Sequence, residues 1–165
     1  MADVSGWFER YGCDVVADGL VVGSVPRDAD DVARLSALGV SRVVSLVADV
    51  EYGDGERAAV VGAYGSAGIA ELRVPSEDFG SLSAATLEAA SDGVLAARAA
   101  GETVYLHCRA GWQRSVVSAA ASLARATGDG PDAALATVLE RRPDACPLPH
   151  QVDDLHRWWV DREPG

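Results

Sequence analysis

The sequence has no lysine, since all 14 of its basic residues are arginine, and 25 acidic residues bring the net charge to −11. A surface this acidic repels nucleic acid and anionic membranes, so we expect neither as a partner. Long apolar runs are also missing, and the opening residues MADVSGWFERYG lack the basic and then apolar pattern of a secretory signal. These absences predict a cytoplasmic protein.

Cysteine is scarce as well. The chain contains only Cys13, Cys108 and Cys146. An odd number of cysteines in an intracellular protein argues against a disulfide framework, so we interpret them as thiols. A length of 165 residues suits one domain with a substantial core. We therefore expect a single domain over residues 1–165, a monomer, with no metal and no cofactor.

Short apolar segments alternate with segments of helical periodicity. Strands are predicted within 16–24 and over 40–47, 69–75 and 103–107, and helices over 27–39, 55–66, 83–101, 131–142 and from about residue 149. This alternation predicts an α/β fold with a mostly parallel sheet covered by helices on both faces. Ligands of such sheets bind beyond the carboxyl ends of the strands. The segment 107–115 lies at such an end.

This segment, HCRAGWQRS, joins a strand that ends near His107 to a helix that begins near Arg114. The N–H groups of a tight loop and the N-terminus of the following helix together form a cradle for an anion. Gly111 permits a sharp turn, and a guanidinium such as Arg114 can bind two oxygens of a phosphate at once. The same positive field favours the thiolate form of Cys108, a nucleophile placed beneath a bound anion.

The pattern His-Cys-x-x-Gly-x-x-Arg-Ser resembles the signature of the cysteine-based protein tyrosine phosphatase superfamily. Five positions match it: His107, Cys108, Gly111, Arg114 and Ser115. The segments DGLVVGS (18–24), LGVSRVVSL (38–46) and RVPSEDFGSL (73–82) resemble the compact dual-specificity branch. The resemblance implies a single-domain dual-specificity phosphatase-like fold, with a central mostly parallel sheet of about four or five strands flanked by helices.

The implied reaction is hydrolysis of phosphate monoesters through a phosphocysteine intermediate, on phosphotyrosine and phosphoserine or phosphothreonine in proteins. Cys108 would be the nucleophile and Arg114 would hold the phosphate. Asp78 is the best candidate for the general acid that protonates the leaving oxygen and later activates water. Glu77 is its rival, and Asp92 is less suitable because it falls inside a predicted helix.

The resemblance also assigns supporting roles. Ser115 would hydrogen-bond the sulfur and help it depart, unless it only caps its own helix. His107 would orient the loop and support the thiolate rather than act as a base. Gln151 either positions the attacking water or is an ordinary polar residue on a helix surface.

The remaining loop residues would contact the phosphate; with Arg114 they are Arg109, Ala110, Gly111, Trp112 and Gln113. Arg109 adds a second cation at the rim, but Gln113 is neutral and the chain has no lysine. The strongly cationic pocket of relatives that act on inositides is therefore absent, which favours a phosphorylated protein as the substrate. Trp112 either forms an aromatic wall for phosphotyrosine or packs against Trp158 or Trp159, and we expect packing.

The two other thiols also allow two interpretations. Cys13 and Cys146 either trap an oxidised Cys108 as a disulfide or are buried free thiols, and we expect the latter.

Three other functions remain open. An inositide or other small-molecule phosphatase would use the same fold. A rhodanese-type sulfurtransferase also places a cysteine and an arginine in a loop after a strand, but its shorter loop suits a persulfide, whereas five residues separate Cys108 from Arg114 here. A phosphopeptide-binding module without turnover would need an occluded pocket, because cysteine, arginine and acid are all present.

Overall fold

Strands and helices alternate along residues 6–162, the part of the chain that this computed structural model describes. The strands are β1 (Cys13–Ala17), β2 (Leu20–Gly23), β3 (Val40–Ser45), β4 (Ala70–Arg73) and β5 (Thr103–His107). The helices are α1 (Trp7–Tyr11), α2 (Ala29–Ala37), α3 (Glu56–Ala67), α4 (Ala84–Ala99), α5 (Arg114–Thr127), α6 (Pro131–Arg141) and α7 (Pro149–Arg162), and a short 3₁₀ turn covers Asp49–Glu51.

The five strands form one sheet in the order β1-β2-β5-β3-β4. All neighbours are parallel except β1 and β2, which form an antiparallel pair. The predicted α/β fold with a mostly parallel sheet is therefore confirmed. Strand β1 was not predicted, because only Val16 of its five residues is buried and an edge strand of mixed polarity has no clear periodic signal.

Helices cover both faces of the sheet. One apolar cluster joins the sheet to α4, α5, α6 and α7, and the other joins it to α1, α2 and α3. Strand β5 serves both clusters, since Val104 and Leu106 point to the first and Tyr105 to the second. A strand buried on both faces reads as a nearly continuous apolar run, which explains why TVYLH could be predicted.

The starts of two helices follow their capping residues. Asp28 and Ser83 each accept a hydrogen bond from a backbone N–H in the first turn, of α2 and α4 respectively. Helix α5 differs, because no side chain caps its first turn, although its residues 114–124 are all buried. Its uncapped N-terminus faces the 107–115 loop and remains available to a ligand. In the described residues, no helix is long and apolar enough to cross a bilayer.

Candidate active site

The carboxyl ends of the three central strands meet at one edge of the sheet, where His107 lies in register with Gly23 of β2 and Ser45 of β3. Cys108 follows directly and is 3% exposed. Its Sγ lies 3.2 Å from Oγ of Ser115, in the first turn of α5. The strand and the helix thus bring together the thiol and the hydroxyl that the sequence predicted to cooperate.

Each carbonyl oxygen from residue 108 to residue 112 accepts a hydrogen bond, and all the donors except His107 lie outside the 107–115 loop. The donors are His107 Nδ1 to Cys108, Trp7 Nε1 and Val25 N to Arg109, Arg142 to Ala110 and Gly111, and Cys146 N to Trp112. In the described part of the chain, the N–H groups of residues 109–113 have no hydrogen-bond partner. With the carbonyl oxygens held outward, these N–H groups are free to bind an anion above the thiol.

Gly111 is required for two reasons. Its φ of 74° lies in the left-handed region that favours glycine. A Cβ at this position would also lie 2.5 Å from the carbonyl oxygen of Gly23 and 2.7 Å from its Cα. The loop therefore rests directly on the backbone of β2, which no side chain at residue 111 would permit.

Arg114 is 1% exposed and is held by two carboxylates. Glu51 accepts from Nη2 at 2.6 Å and from Nη1 at 3.1 Å, while Asp78 Oδ1 accepts from Nη2 at 3.1 Å. Nη1 also donates to the carbonyl oxygens of Leu46 and Ser76. Burial alone would lower the pKa of Arg114, but the hydrogen bonds to Glu51 and the nearby acidic groups outweigh it and raise the pKa above its ordinary value.

Glu51 was missed in the sequence. It ends the 3₁₀ turn after β3, and its side chain is 6% exposed in a segment that reads as a polar loop. The only local signal is an acidic residue shortly after the carboxyl end of a buried strand. Its partner lies 63 positions away in the chain, so its role depends on the tertiary fold.

Asp78 is placed at the site and its two rivals are not. Its carboxylate is 24% exposed, and Oδ2 lies 3.9 Å from Arg109 at the rim. Glu77 is exposed, and Asp92 pairs with Arg125 on α5. Of the three candidate acids, only Asp78 contacts Arg114.

Helix α7 holds the segment that carries Asp78, here called the 76–82 loop. His150 Nε2 donates to the carbonyl oxygen of Phe79, Gln151 Nε2 donates to that of Gly80, and Asp154 Oδ2 accepts from the N–H of Leu82. Gln151 is fully buried, so its interpretation as a surface residue was wrong. Its amide is hydrogen-bonded to Gly80 and Leu148, and it therefore helps to fix the 76–82 loop.

His107 is fully buried beneath the loop. Burial lowers its pKa from 6.5 to about 4, although its hydrogen bond to the carbonyl oxygen of Cys108 acts in the opposite direction. The ring is therefore neutral at pH 7. A neutral ring that donates from Nδ1 to this carbonyl fits the predicted role in orienting the loop.

The opening above Cys108 is an aromatic cavity of about 310 Å³. Trp7, Tyr11, Phe79 and Trp112 line it together with Asp78, Arg109, Ala110 and Gln113. Trp112 packs edge-on against Tyr11, with the two ring centroids 5.2 Å apart, whereas Trp158 and Trp159 pack against each other. The expected packing of Trp112 on Trp158 or Trp159 was wrong, and its ring forms a wall of the cavity instead.

The other two thiols differ from expectation. Cys13 is half-buried on β1 and Cys146 is exposed, so the expectation of buried thiols was wrong for Cys146. Burial raises the pKa of Cys13. Among the described residues, no group of three or more His, Cys, Asp or Glu side chains is arranged to hold a metal ion.

Comparisons with known proteins agree on the fold. No protein-family model and no curated protein matches the sequence. The structure of Tk-PTP in its active form superposes with a TM-score of 0.79 at 22% identity, covering 92% of this chain and 97% of that one. The structure of PTPMT1 in complex with PI(5)P gives 0.78 at 22% identity, with coverages of 90% and 95%. Human DUSP28 gives 0.70 at 28% identity, with coverages of 90% and 93%.

These solved structures span nearly the whole chain. The chain has the fold of the cysteine-based, dual-specificity phosphatase-like proteins, and the resemblance read from the 107–115 loop is confirmed at this level.

Proposed function

We propose that the protein is a cysteine-dependent phosphatase that hydrolyses phosphate monoesters of proteins, on tyrosine and on serine or threonine, through a phosphocysteine intermediate. The observation that carries the proposal is the arrangement of four groups in and around one cavity. Cys108 lies on its floor, Ser115 lies beside the sulfur, and Arg114 holds Asp78 at the edge. The expected cytoplasmic location and monomeric state are part of the same proposal.

In the first step, the Cys108 thiolate attacks phosphorus and the bond from phosphorus to the leaving oxygen breaks. The free N–H groups of the loop and the guanidinium of Arg114 stabilise the charge on the three equatorial oxygens. Asp78, in its protonated form, gives its proton to the leaving oxygen. To reach the leaving oxygen, the Asp78 side chain moves away from Arg114. The incoming phosphate then binds the guanidinium in its place.

In the second step, water attacks phosphorus, the sulfur–phosphorus bond breaks, and inorganic phosphate is released. Asp78, now a carboxylate, accepts the proton of the water. The Ser115 hydroxyl, 3.2 Å from Sγ, donates to the departing thiolate. Cys108 and Asp78 thereby return to their starting states.

The cavity supports a phosphoprotein substrate. Its four aromatic side chains offer apolar contact to a tyrosine ring. Arg109 is the one cation among the residues that line the cavity, and it also forms an ion pair with Asp78. A polyphosphorylated headgroup needs several cations. An inositide is the alternative substrate, because PTPMT1, whose solved complex contains PI(5)P, has a similar fold.

The test is release of phosphate from an aryl phosphate, from phosphopeptides and from inositides, by wild type and Cys108→Ser. We expect vanadate-sensitive release by wild type, highest with phosphopeptides, and none by the variant. Equal rates in the two proteins would refute the cysteine mechanism. Thiocyanate formation from thiosulfate would indicate a sulfurtransferase, and phosphopeptide binding without release would indicate a binding module.

The acid is tested by comparing two neighbouring carboxylates. Asp78→Asn should lower kcat by about a hundredfold and flatten the pH dependence of the rate, because the leaving oxygen no longer receives a proton. Glu77→Gln, exposed on the same loop, is the matched control and should leave the rate near that of wild type. A larger loss in Glu77→Gln would contradict the assignment.

A further inference from the structure

Arg142, directly after α6, is a charged residue buried as deeply as the core. It is 2% exposed, whereas its neighbour Arg141 is exposed. Its guanidinium donates to the carbonyl oxygens of Gly111 at 2.6 Å and Ala110 at 3.1 Å. Burying a guanidinium is costly unless its N–H groups are hydrogen-bonded. The deep burial of Arg142 therefore calls for an explanation.

The two acceptors are consecutive carbonyl groups of the 107–115 loop. A peptide group is planar and its C=O and N–H point in nearly opposite directions. Holding the carbonyl oxygens of Ala110 and Gly111 outward therefore turns the N–H groups of Gly111 and Trp112 toward the anion site. If either plane rotated, a carbonyl dipole would face the anion and repel it.

This part of the loop needs such a restraint. Gly111 has a positive φ and the wide conformational freedom of glycine, so its flanking peptide planes turn more easily than others. Among residues 6–162, no other side chain donates to the carbonyl oxygens of Ala110 or Gly111. Arg142 alone thus fixes the orientation of two neighbouring N–H donors.

The guanidinium is itself held from the opposite side. Nη1 donates to Asp14 Oδ2 at 2.9 Å, and Nη2 donates to the carbonyl oxygen of Tyr11 at 2.9 Å. Asp14 belongs to the edge strand β1 and Tyr11 ends α1. Arg142 therefore connects the N-terminal part of the sheet to the floor of the candidate active site.

We propose that Arg142, oriented by Asp14, is a positioning residue that holds the 107–115 loop in its anion-binding shape. The inference rests on the proposed phosphatase function for its catalytic consequence, while its effect on anion binding is independent of turnover. Arg142 does not touch the substrate and acts through the peptide groups on either side of Gly111.

The test compares Arg142→Gln and Arg142→Lys with the matched controls Arg141→Gln and Arg141→Lys. Binding of vanadate and of inorganic phosphate is measured by calorimetry, folding by circular dichroism and thermal unfolding, and kcat and KM with an aryl phosphate. Arg142→Gln should weaken vanadate binding by about tenfold or more, corresponding to loss of aligned donors. Arg142→Lys keeps the charge but not the planar fork, so it should fall between Arg142→Gln and wild type.

The decisive readout is the loss of vanadate affinity relative to the loss of phosphate affinity. Vanadate adopts the geometry of the transition state, so its affinity should fall more than that of phosphate, and kcat should fall more than KM rises. A purely structural role would lower the unfolding temperature while the folded fraction kept its vanadate affinity. That result, or equal losses in the Arg141 controls, would overturn the inference.

A second variant covers the case in which the Arg142 variants do not fold. Asp14→Asn leaves Arg142 in place with a weaker partner and should weaken vanadate binding by about threefold. Vanadate affinity equal to that of wild type in folded Asp14→Asn would then overturn the inference. If wild type binds vanadate but releases no phosphate, the proposed function fails while this binding test keeps its meaning.

Discussion

At the scale of single residues, the site is organised around a buried arginine that two carboxylates share. Glu51 binds Arg114 through both oxygens and is itself almost buried, whereas Asp78 binds it through one oxygen and is partly exposed. This difference separates their roles. Glu51 fixes the direction of the guanidinium, and the more exposed Asp78 can leave Arg114, as its proposed role as general acid requires.

Glu51→Gln should therefore impair both stability and catalysis. The buried guanidinium would lose its main anionic partner, which costs about 3 kcal/mol of unfolding free energy. A misdirected Arg114 should also lower kcat/KM by about tenfold. Urea denaturation and steady-state kinetics measure the two effects, with Glu140→Gln on the exposed face of α6 as the control. An unfolding free energy and kcat/KM unchanged from wild type would contradict the role of Glu51.

The residues that sequence alone could predict are those that form the local motif. Cys108, Arg114, Ser115 and His107 lie within nine positions, and Asp78 lies in a segment that resembles the family. Glu51 and Arg142 could not be predicted in the same way. Each acts on the loop through a partner distant in the chain, and nothing in the local pattern distinguishes them from solvated charges.

At the scale of elements, the position of the 76–82 loop depends on α7. Three side chains from two successive turns of α7, those of His150, Gln151 and Asp154, bind the backbone of that loop just after Asp78. The helix itself was predictable from its apolar spacing, but its contact with the loop was not, because it joins segments 71 or 72 positions apart. Helix α7 thus sets the position of the loop that carries Asp78.

Gln151→Ala should loosen the 76–82 loop and so weaken proton donation by Asp78 to the leaving oxygen. We expect kcat/KM to fall by about tenfold for esters with poor leaving groups, which need a proton, and little for aryl phosphates with acidic leaving groups. Rapid-quench kinetics with both substrate types measures this, with the exposed neighbour Asp153→Ala as the control. An unchanged kcat/KM of Gln151→Ala for esters with poor leaving groups would contradict the role of Gln151 in holding this loop.

At the scale of the whole molecule, the fold places a neutral histidine under the site. His107 has a pKa of about 4 in the folded protein against an ordinary value of 6.5. Between these values the unfolded chain binds a proton that the folded protein does not, so protons favour unfolding. The contribution of His107 to stability is complete above about pH 6.5 and is lost as the pH falls toward 4.

The free energy of unfolding of wild type should thus decrease by about 3 kcal/mol more than that of His107→Gln as the pH falls from about 6.5 to about 4. Urea denaturation at several pH values measures how steeply the free energy of unfolding depends on pH in wild type and in His107→Gln. Parallel slopes in wild type and His107→Gln would show that His107 is not buried as a neutral ring.

The central claim is that phosphate passes through the sulfur of Cys108, and trapping the intermediate tests it most directly. Ser115→Ala, which slows departure of the thiolate, is mixed with an aryl phosphate, quenched in acid and digested for mass spectrometry. We predict a phosphoryl group on the peptide that contains Cys108, more abundant than in wild type and absent in Cys108→Ser. Phosphate release by wild type at a rate that Cys108→Ser matches, with no adduct on Cys108 in either wild type or Ser115→Ala, would contradict the account.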